Sequence, residues 1–255
     1  MLVLVVDSST PAVTAALVEV TADGVAVRAH RCTVDARAHG ELLAPQVEAV
    51  LAEVGARPGD LGAIVAGLGP GPFTGLRVGL VTAATMGQVL GIPTYGVCSL
   101  DGIGHPSAAG TTRIAPMREQ GTPAREQDAP AREQDAPARD ERVLVAADAR
   151  RKEVYWAVYD AAGQRIVGPA VDAPAVAAAR ARELAVTVAV GDGAHRYADV
   201  LGLPLRGEPR YPAVVALATL AAERIRAGVP GETLTPLYLR RPDAVAATSR
   251  KSVLP

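Results

Sequence analysis

Short apolar runs bounded by turn residues fill the first hundred positions of the chain and predict β-strands. Two of these runs meet at Asp23-Gly24, a dipeptide typical of a tight hairpin. Residues 40–54 place apolar side chains at the helical interval, with glutamates outside that face, which predicts an amphipathic helix. The strands predicted in this half lie at 2–6, 13–20, 25–34, 61–67 and 94–97.

The second half of the chain repeats this order of elements. The runs there predict strands at 143–147, 154–159, 164–167 and 186–190, and helices at 173–184 and 212–228. Strand, acidic turn, strand, strand, helix and strand follow one another in both halves. We therefore predict an α/β protein of two lobes, each a mixed sheet flanked by helices. The predicted N-lobe is 1–98 joined by the helix at about 212–228, and the predicted C-lobe is 99–211.

Three tandem heptads and the start of a fourth occupy residues 117–141. Each repeat is charged and closed by proline, and no apolar seam runs through the repeats, which argues against a coiled coil. We expect a disordered insertion within the C-lobe, and a flexible tail at 242–255. A partner-binding segment and a neutral expansion of repeated DNA are the two interpretations of the insertion, and we favour the second.

Residues 67–79 are the most constrained stretch of the chain. An apolar run leads into three glycines and two prolines, and an apolar helix follows to about Leu90, with Thr74 as its expected N-cap. Strand, glycine-rich turn and helix in this order present backbone N–H groups to an anion or to a closely approaching partner. A tight connector without a ligand is the alternative.

Small residues recur at every fourth position of the helix behind this loop, so they stack along one face. They are Gly75, Gly79, Ala83 and Gly87. A glycine inside a helix costs roughly 1 kcal/mol relative to alanine, so we expect another backbone to approach this face. That backbone belongs either to the protein's own sheet or to a helix of another chain.

Composition narrows the classes of function. The 255 residues are 49% hydrophobic, enough for a core, and a formal net charge of −1 provides no global basic field for nucleic-acid binding. Cys32 and Cys98 lack metal-site spacing, and the four histidines contain no i,i+4 pair, so no metal site is expected. The opening residues lack a signal-peptide pattern and no membrane span is expected, so we predict a cytoplasmic protein.

Candidate chemistry centres on Asp7 and Asp148, which follow equivalent strands in the two halves. In two-lobed folds of the actin and sugar-kinase type, an aspartate at the first position handles metal-bound nucleotide. The turn after Asp7 is Ser-Ser-Thr without the usual glycine, so a plain turn residue is the alternative. For His39 we expect a capping or surface role. The serines and threonines nearby have no evident histidine partner, so no catalytic set emerges.

Four segments in this order closely resemble the TsaB (YeaZ) family. They are residues 2–10, Gly69-Pro-Gly-Pro-Phe-Thr-Gly-Leu-Arg77, Ala147-Asp-Ala-Arg-Arg151 with Glu153-Val-Tyr-Trp156, and Pro236-Leu-Tyr-Leu-Arg240. The resemblance covers the chain apart from the heptad insertion. It implies a two-lobed actin/Hsp70-like (ASKHA) fold.

The resemblance also implies a non-catalytic dimerisation subunit that supports a related protein, TsaD. TsaD transfers the threonylcarbamoyl group from its adenylate to the tRNA adenosine 3′ of the anticodon, and an ATPase, TsaE, joins the complex. The chain would meet tRNA indirectly and form a homodimer when alone. TsaD-like relatives bind metal through a His-x-x-x-His pair, whereas Leu43 follows His39 here. Pro72 stands where the family has serine, which puts a hydroxyl contact at that position in doubt.

In the family, the first two helices of the N-lobe build the partner interface. The expected interface residues are Leu43, Val47, Val50, Leu51, Gly75, Gly79, Ala83 and Gly87. No cofactor is required, and ATP or ADP bound at a shared interface would contact Asp7, Thr10, Gly69, Gly71 and Thr74. The rival hypothesis is a stand-alone ASKHA-type ATP-binding enzyme, kinase-like or hydrolase-like. A direct tRNA-binding module is a third.

Overall fold

Two mixed β-sheets with helices on both faces make up the structure, a computed structural model that describes residues 1–109 and 141–240. This architecture confirms the predicted two-lobed α/β fold. The heptad insertion predicted at 117–141, apart from Glu141, and the tail predicted at 242–255 lie outside the described residues. Within the described ranges, no helix combines the length and the apolarity needed to cross a bilayer.

The described ranges contain nine strands and seven helices. The strands are β1 (Leu2–Asp7), β2 (Ala12–Val20), β3 (Val25–Val34), β4 (Ala63–Gly67), β5 (Thr94–Val97), β6 (Val143–Asp148), β7 (Val154–Tyr159), β8 (Arg165–Asp172) and β9 (Val188–Val190). The helices are α1 (His39–Glu53), α2 (Phe73–Leu90), α3 (Asp101–Ala109), α4 (Pro174–Glu183), α5 (Asp192–Arg196), α6 (Ala198–Leu201) and α7 (Val214–Arg226).

The first sheet has the strand order β3-β2-β1-β4-β5, with β1 at its centre. β2 is antiparallel to both of its neighbours, whereas β4 and β5 run parallel to β1. Successive side chains of β1 point to opposite faces: Leu4 and Val6 pack under α1 and α2, and Val3 and Val5 pack under α7. Because both faces are covered, β1 is a continuous apolar run rather than an alternating one.

The second sheet has the order β8-β7-β6-β9, in which β6 occupies the place that β1 holds in the first sheet. β7 is antiparallel to β6 and β8, and β9 runs parallel to β6. Helices α4, α5 and α6 contribute to the core on one face, and Ile103 of α3 packs on the other. Helix α3 also contacts α7, so it lies where the two lobes meet.

Several predicted boundaries differ from the observed ones. The strand predicted at 61–67 begins at Ala63, after a short 3₁₀ turn, and the one predicted at 164–167 extends to Asp172. Helices α3, α5 and α6 were not predicted. Thr74 is not the N-cap of α2, because the helix already begins at Phe73, and Pro72 holds the cap position without a side-chain hydrogen bond.

Candidate functional site

Asp7 ends β1, and its side chain is buried in the first lobe. Its Oδ1 accepts hydrogen bonds from the backbone N–H (3.0 Å) and the hydroxyl (2.8 Å) of Ser9. Its Oδ2 accepts a hydrogen bond from the Ser99 hydroxyl at 2.6 Å. Loss of hydration raises the pKa of Asp7, and the hydrogen bonds from Ser99 and Ser9 oppose that rise. The carboxylate is therefore held by donors of the protein itself.

The glycine loop after β4 lies directly on this turn. A β-carbon at Gly67 would lie 1.7 Å from Oδ2 of Asp7, and one at Gly71 would lie 2.1 Å from the carbonyl oxygen of Ser9. Both distances are far inside van der Waals contact, so only glycine allows the backbone to lie here. These two glycines serve close approach between the loop and the Asp7 turn.

Ser99, just after β5, forms hydrogen bonds with both the glycine loop and the Asp7 turn. Its hydroxyl accepts the Gly69 N–H at 3.0 Å, and its own backbone N–H donates to the Gly69 carbonyl at 2.7 Å. The same hydroxyl donates to Asp7, which is 92 positions away in the sequence. Ser99 is not among the site residues predicted from sequence; its signal there is a polar residue that follows a buried strand.

Four of the five residues expected to contact a nucleotide lie together in this cluster. They are Asp7, Thr10, Gly69 and Gly71, and all four are buried. The fifth, Thr74, is exposed in the first turn of α2. The carbonyl of Ser9 lies against Gly71, so protein backbone fills the space between turn and loop. A nucleotide contact at these residues stays a prediction.

His39, the first residue of α1, is buried rather than at the surface. Its Nε2 lies 2.8 Å from the carbonyl oxygen of Thr10, and a β-carbon at Gly75 would lie 3.1 Å from the same nitrogen. The ring packs between the Asp7 turn and α2, so the expectation of a capping or surface histidine is wrong. Among the residues that the structure describes, no cluster of three or more metal-ligating side chains occurs.

The eight residues expected at the partner interface are all buried inside the protein itself. They are Leu43, Val47, Val50, Leu51, Gly75, Gly79, Ala83 and Gly87. The Ser8 hydroxyl donates to the Gly75 carbonyl and accepts the Gly79 N–H, each at 2.8 Å. A β-carbon at Gly87 would lie 2.5 Å from Cγ2 of Thr94. The small-residue face of α2 thus packs against the turn after β1, His39 and β5 of the same chain, and a partner interface at these eight residues stays a prediction.

The opposite face of α2 is exposed and partly apolar. Arg77, Val81, Thr85 and Val89 follow at intervals of four residues and share that face. Val81 is 61% exposed and Val89 is 77% exposed, among the most exposed large apolar residues described. We call Val81, Thr85 and Val89 the outer stripe of α2; Arg77, at the N-terminal end of this face, is not part of it. It is the surface of this helix that a partner could reach.

A cleft of about 670 Å³ opens between the lobes at the start of α2. Its walls come from the first turns of α2, the turn between β6 and β7, and residues 238–240. No described carboxylate lines the cleft. Arginines and aromatic residues dominate its lining: Phe73, Tyr155, Tyr238, Arg77, Arg150, Arg151 and Arg240.

The first-lobe side of the cleft is a stack of three side chains. The rings of Phe73 and Tyr238 lie 5.2 Å apart at an angle of 30°. The Arg77 guanidinium lies 3.7 Å from the centre of the Phe73 ring, and its Nε donates to the Tyr238 hydroxyl at 3.1 Å. The stack joins α2 to a segment 161 residues away in the sequence, so sequence reasoning could not detect it.

The second-lobe side is the turn between β6 and β7, which has an unusual backbone. Arg150, Arg151 and Lys152 have φ angles of 62°, 53° and 61°, in the left-handed region. For residues other than glycine, this backbone conformation costs roughly 1–2 kcal/mol of free energy per residue. The Arg150 N–H donates to Asp148 at 3.1 Å, which helps to hold the turn. Asp148 Oδ2 also lies 3.6 Å from the Arg150 guanidinium and 3.5 Å from that of Arg196.

Asp192 lies beside Asp148 at the start of α5. One of its oxygens accepts the backbone N–H of Asp148 at 3.2 Å. Burial, reinforced by the charge of Asp148 and opposed by backbone hydrogen bonds, raises the pKa of Asp192 to about 6. Asp148 is thus placed like Asp7, at the end of the central strand, but it forms ion pairs with two arginines in addition to a hydrogen bond from the Tyr197 hydroxyl at 3.5 Å.

Known proteins with similar sequences and structures identify the family. An uncharacterised protein of Mycobacterium tuberculosis is 43% identical over 95% of this chain and 93% of its own length. The tRNA threonylcarbamoyladenosine biosynthesis protein TsaB of Escherichia coli is 31% identical over 94% of this chain and 95% of its own length. The chain belongs to the TsaB family. The crystal structure of YeaZ from Pseudomonas aeruginosa matches at a TM-score of 0.65 and 25% identity, over 93% of this chain and 99% of that one. This confirms the recognised family and its ASKHA-like fold.

A second family resembles one part of this TsaB-family chain. Residues 32–117 match the model of TsaD, the tRNA N6-adenosine threonylcarbamoyltransferase. That range includes α1, α2 and the glycine loop. The first lobe is therefore similar to part of the transferase family as well as to TsaB.

Proposed function

We propose that this chain is a non-catalytic subunit of the machinery that makes threonylcarbamoyladenosine in tRNA, and that it binds and supports a TsaD-type transferase. Membership of the TsaB family supports the pathway, because its E. coli member is named as a biosynthesis protein for this modification. The exposed stripe on α2 carries the proposal of a partner, since it combines an apolar surface with a position in the TsaD-like segment.

Similarity to the partner suggests how the two proteins pair. When two proteins share similar helices, the same surface of each can meet the other about a two-fold axis. The outer stripe of α2 would then pack against the corresponding helix of the transferase. In the absence of the transferase, the same stripe would pair with a second copy of this chain.

The Asp7 cluster supports a non-catalytic role. Its carboxylate is buried and bonded to Ser9 and Ser99, and the Ser9 carbonyl lies against Gly71. A phosphate at this turn would have to displace those contacts. We accordingly propose that the chemistry belongs to the transferase. A TsaE-type ATPase would join the complex, ATP or ADP would bind at a shared interface, and the assembly would act on tRNA in the cytoplasm.

Co-purification with a TsaD-type transferase tests the interface. Val81→Asp places a charge on the outer stripe, and we expect it to weaken the complex about thirtyfold, because a buried interface does not tolerate an unpaired charge. Val176→Asp on α4, where the side chain is 47% exposed in the other lobe, is the matched control. Equal binding by both variants would contradict the assignment of the stripe.

Reconstituted tRNA modification tests the role. The transferase should modify tRNA efficiently only with this chain present, and the chain alone should not hydrolyse ATP. Nucleotide turnover by the isolated chain that disappears in Asp7→Ala would instead support the rival, a stand-alone ATP-binding enzyme.

A further inference from the structure

We infer that the cleft between the lobes binds an unpaired nucleotide of an RNA, with its base on the Phe73–Tyr238 stack and its flanking phosphates on the arginines. This inference rests on the proposed function, which makes tRNA the substrate of the assembly. It assigns a direct RNA contact to this chain, in place of the indirect one implied by the family resemblance.

The aromatic stack has the properties of a base-stacking platform. Phe73 is 49% exposed and Tyr238 is 43% exposed, although both are large aromatic side chains. Unpaired bases stack on such rings next to arginine guanidinium groups, and this mode of binding tolerates different sequences. The cleft volume of about 670 Å³ is in the range of sites that hold one nucleotide-sized ligand.

The position of the Arg77 guanidinium is fixed by contacts within the protein. Its ring contact with Phe73 and its hydrogen bond to Tyr238 fix the guanidinium. Among the described residues, no carboxylate forms an ion pair with it. A phosphate that binds here would meet a positive charge whose position is already set, which lowers the ordering cost of binding.

The second lobe adds positive charge across the cleft. Asp148 lies between two guanidinium groups, those of Arg150 and Arg196, so one carboxylate is shared by two cations. Arg240 has a structural role, because it is paired with Glu153 and donates to the Ala149 carbonyl at 2.7 Å. The other arginines that line this side of the cleft lie on the strained turn between β6 and β7.

An RNA strand fits this distribution better than a free nucleotide does. Each nucleotide within a strand has a phosphate on both sides of its base, whereas a free nucleotide has phosphate at one end. The cleft has cationic groups on both lobes and aromatic rings on its first-lobe side. The protein has a formal net charge of −1 and therefore does not attract RNA as a whole, so binding depends on this local patch.

Fluorescence anisotropy with a labelled unstructured RNA and with unmodified tRNA tests the inference on the full chain. We expect Arg77→Gln and Arg150→Gln each to weaken RNA binding about tenfold. Each should also reduce the slope of log affinity against log salt by about 0.7, as expected for one lost phosphate contact. Phe73→Leu, which keeps an apolar side chain but removes the ring, should weaken binding about tenfold without changing that slope.

Arg180→Gln is the matched control, because this α4 arginine has a side chain 61% exposed and lies outside the cleft. Wild-type affinity in the three cleft variants, or no RNA binding by the wild-type chain, would overturn the inference. Competition by AMP or ATP at the concentration at which RNA competes would reassign the cleft to a free nucleotide. Co-purification with the transferase separates the two proposals, since cleft variants should keep the partner while Val81→Asp should keep RNA binding.

Discussion

Replacing Ser99 with alanine should destabilise the protein more than removing an exposed serine or threonine hydroxyl would. The Ser99 hydroxyl donates to the buried Asp7 carboxylate at 2.6 Å and accepts the buried Gly69 N–H at 3.0 Å. Ser99→Ala removes both hydrogen bonds in a place that is closed to water. An orphaned buried donor costs about 1–3 kcal/mol, and a hydrogen bond to a charged group contributes about 1.5–3 kcal/mol. Since these terms overlap, we expect a loss of about 2–4 kcal/mol.

Urea unfolding followed by far-UV circular dichroism measures this loss, and fluorescence of Trp156 adds a probe of the second lobe. Thr74→Ala is the control, because this hydroxyl lies near the same loop but is exposed, so its removal should change stability by less than about 0.5 kcal/mol. If Ser99→Ala were as mild as Thr74→Ala, the proposed role of Ser99 in joining the loop to Asp7 would be refuted.

The penalty should also depend on pH in a defined direction. The Ser99 hydrogen bond favours the charged form of Asp7, so its loss raises the folded-state pKa of Asp7 further. A raised pKa in a folded carboxyl group lowers stability as the pH rises through that value. The difference between Ser99→Ala and the wild type should accordingly be larger at pH 8 than at pH 5. An opposite trend would contradict the assignment of the hydrogen bond.

Two further predictions concern other buried groups. The pKa of Asp192, about 6 when folded, exceeds its unfolded value near 4, so stability should fall by about 2–3 kcal/mol as the pH rises from 4 to 6. Asp192→Asn, which keeps the acceptor for the Asp148 N–H, should remove this dependence in urea titrations; an unchanged profile would exclude Asp192 as its source. Gly79→Leu should lower the free energy of unfolding by about 3 kcal/mol, because even a β-carbon there would lie 2.6 Å from Ser8 Oγ. If Gly79→Leu were as stable as the wild type, the close packing of this face of α2 against Ser8 would be refuted.

The strongly periodic elements were predictable from sequence alone, whereas α3 was not. Strands β3 and β7 have the predicted bounds, because long alternating or apolar runs leave few other solutions, and the short strand β5 also has the predicted bounds. Helix α3 contains two glycines and a proline, which favour a loop. The structure forms a helix because Gly102 and Gly104 allow close contact with Leu217 and Tyr159. Tertiary packing outweighs local preference there.

The site could be predicted only in its local parts. The glycine loop and Asp7 were recognisable, because each lies next to a strand end. The hydrogen bonds of Ser99, which link the glycine loop to Asp7, join segments far apart in the chain, and so does the stack of Phe73, Arg77 and Tyr238. No local sequence pattern therefore predicts these contacts. The four-residue spacing of small side chains correctly predicted a close neighbour, but spacing alone does not say whether that neighbour belongs to the same chain.

The glycine loop connects the two surfaces that the proposals require. Because Gly67 and Gly71 let the loop lie on the Asp7 turn, the small-residue face of α2 is drawn against the sheet. A helix whose glycine face is buried must present its opposite face to solvent, and that face carries Val81 and Val89. The same placement sets Phe73, at the start of α2, on the rim of the cleft. One contact between loop and turn thus sets the orientation of α2, so that its outer stripe and its first turn are both exposed where the two proposals require them.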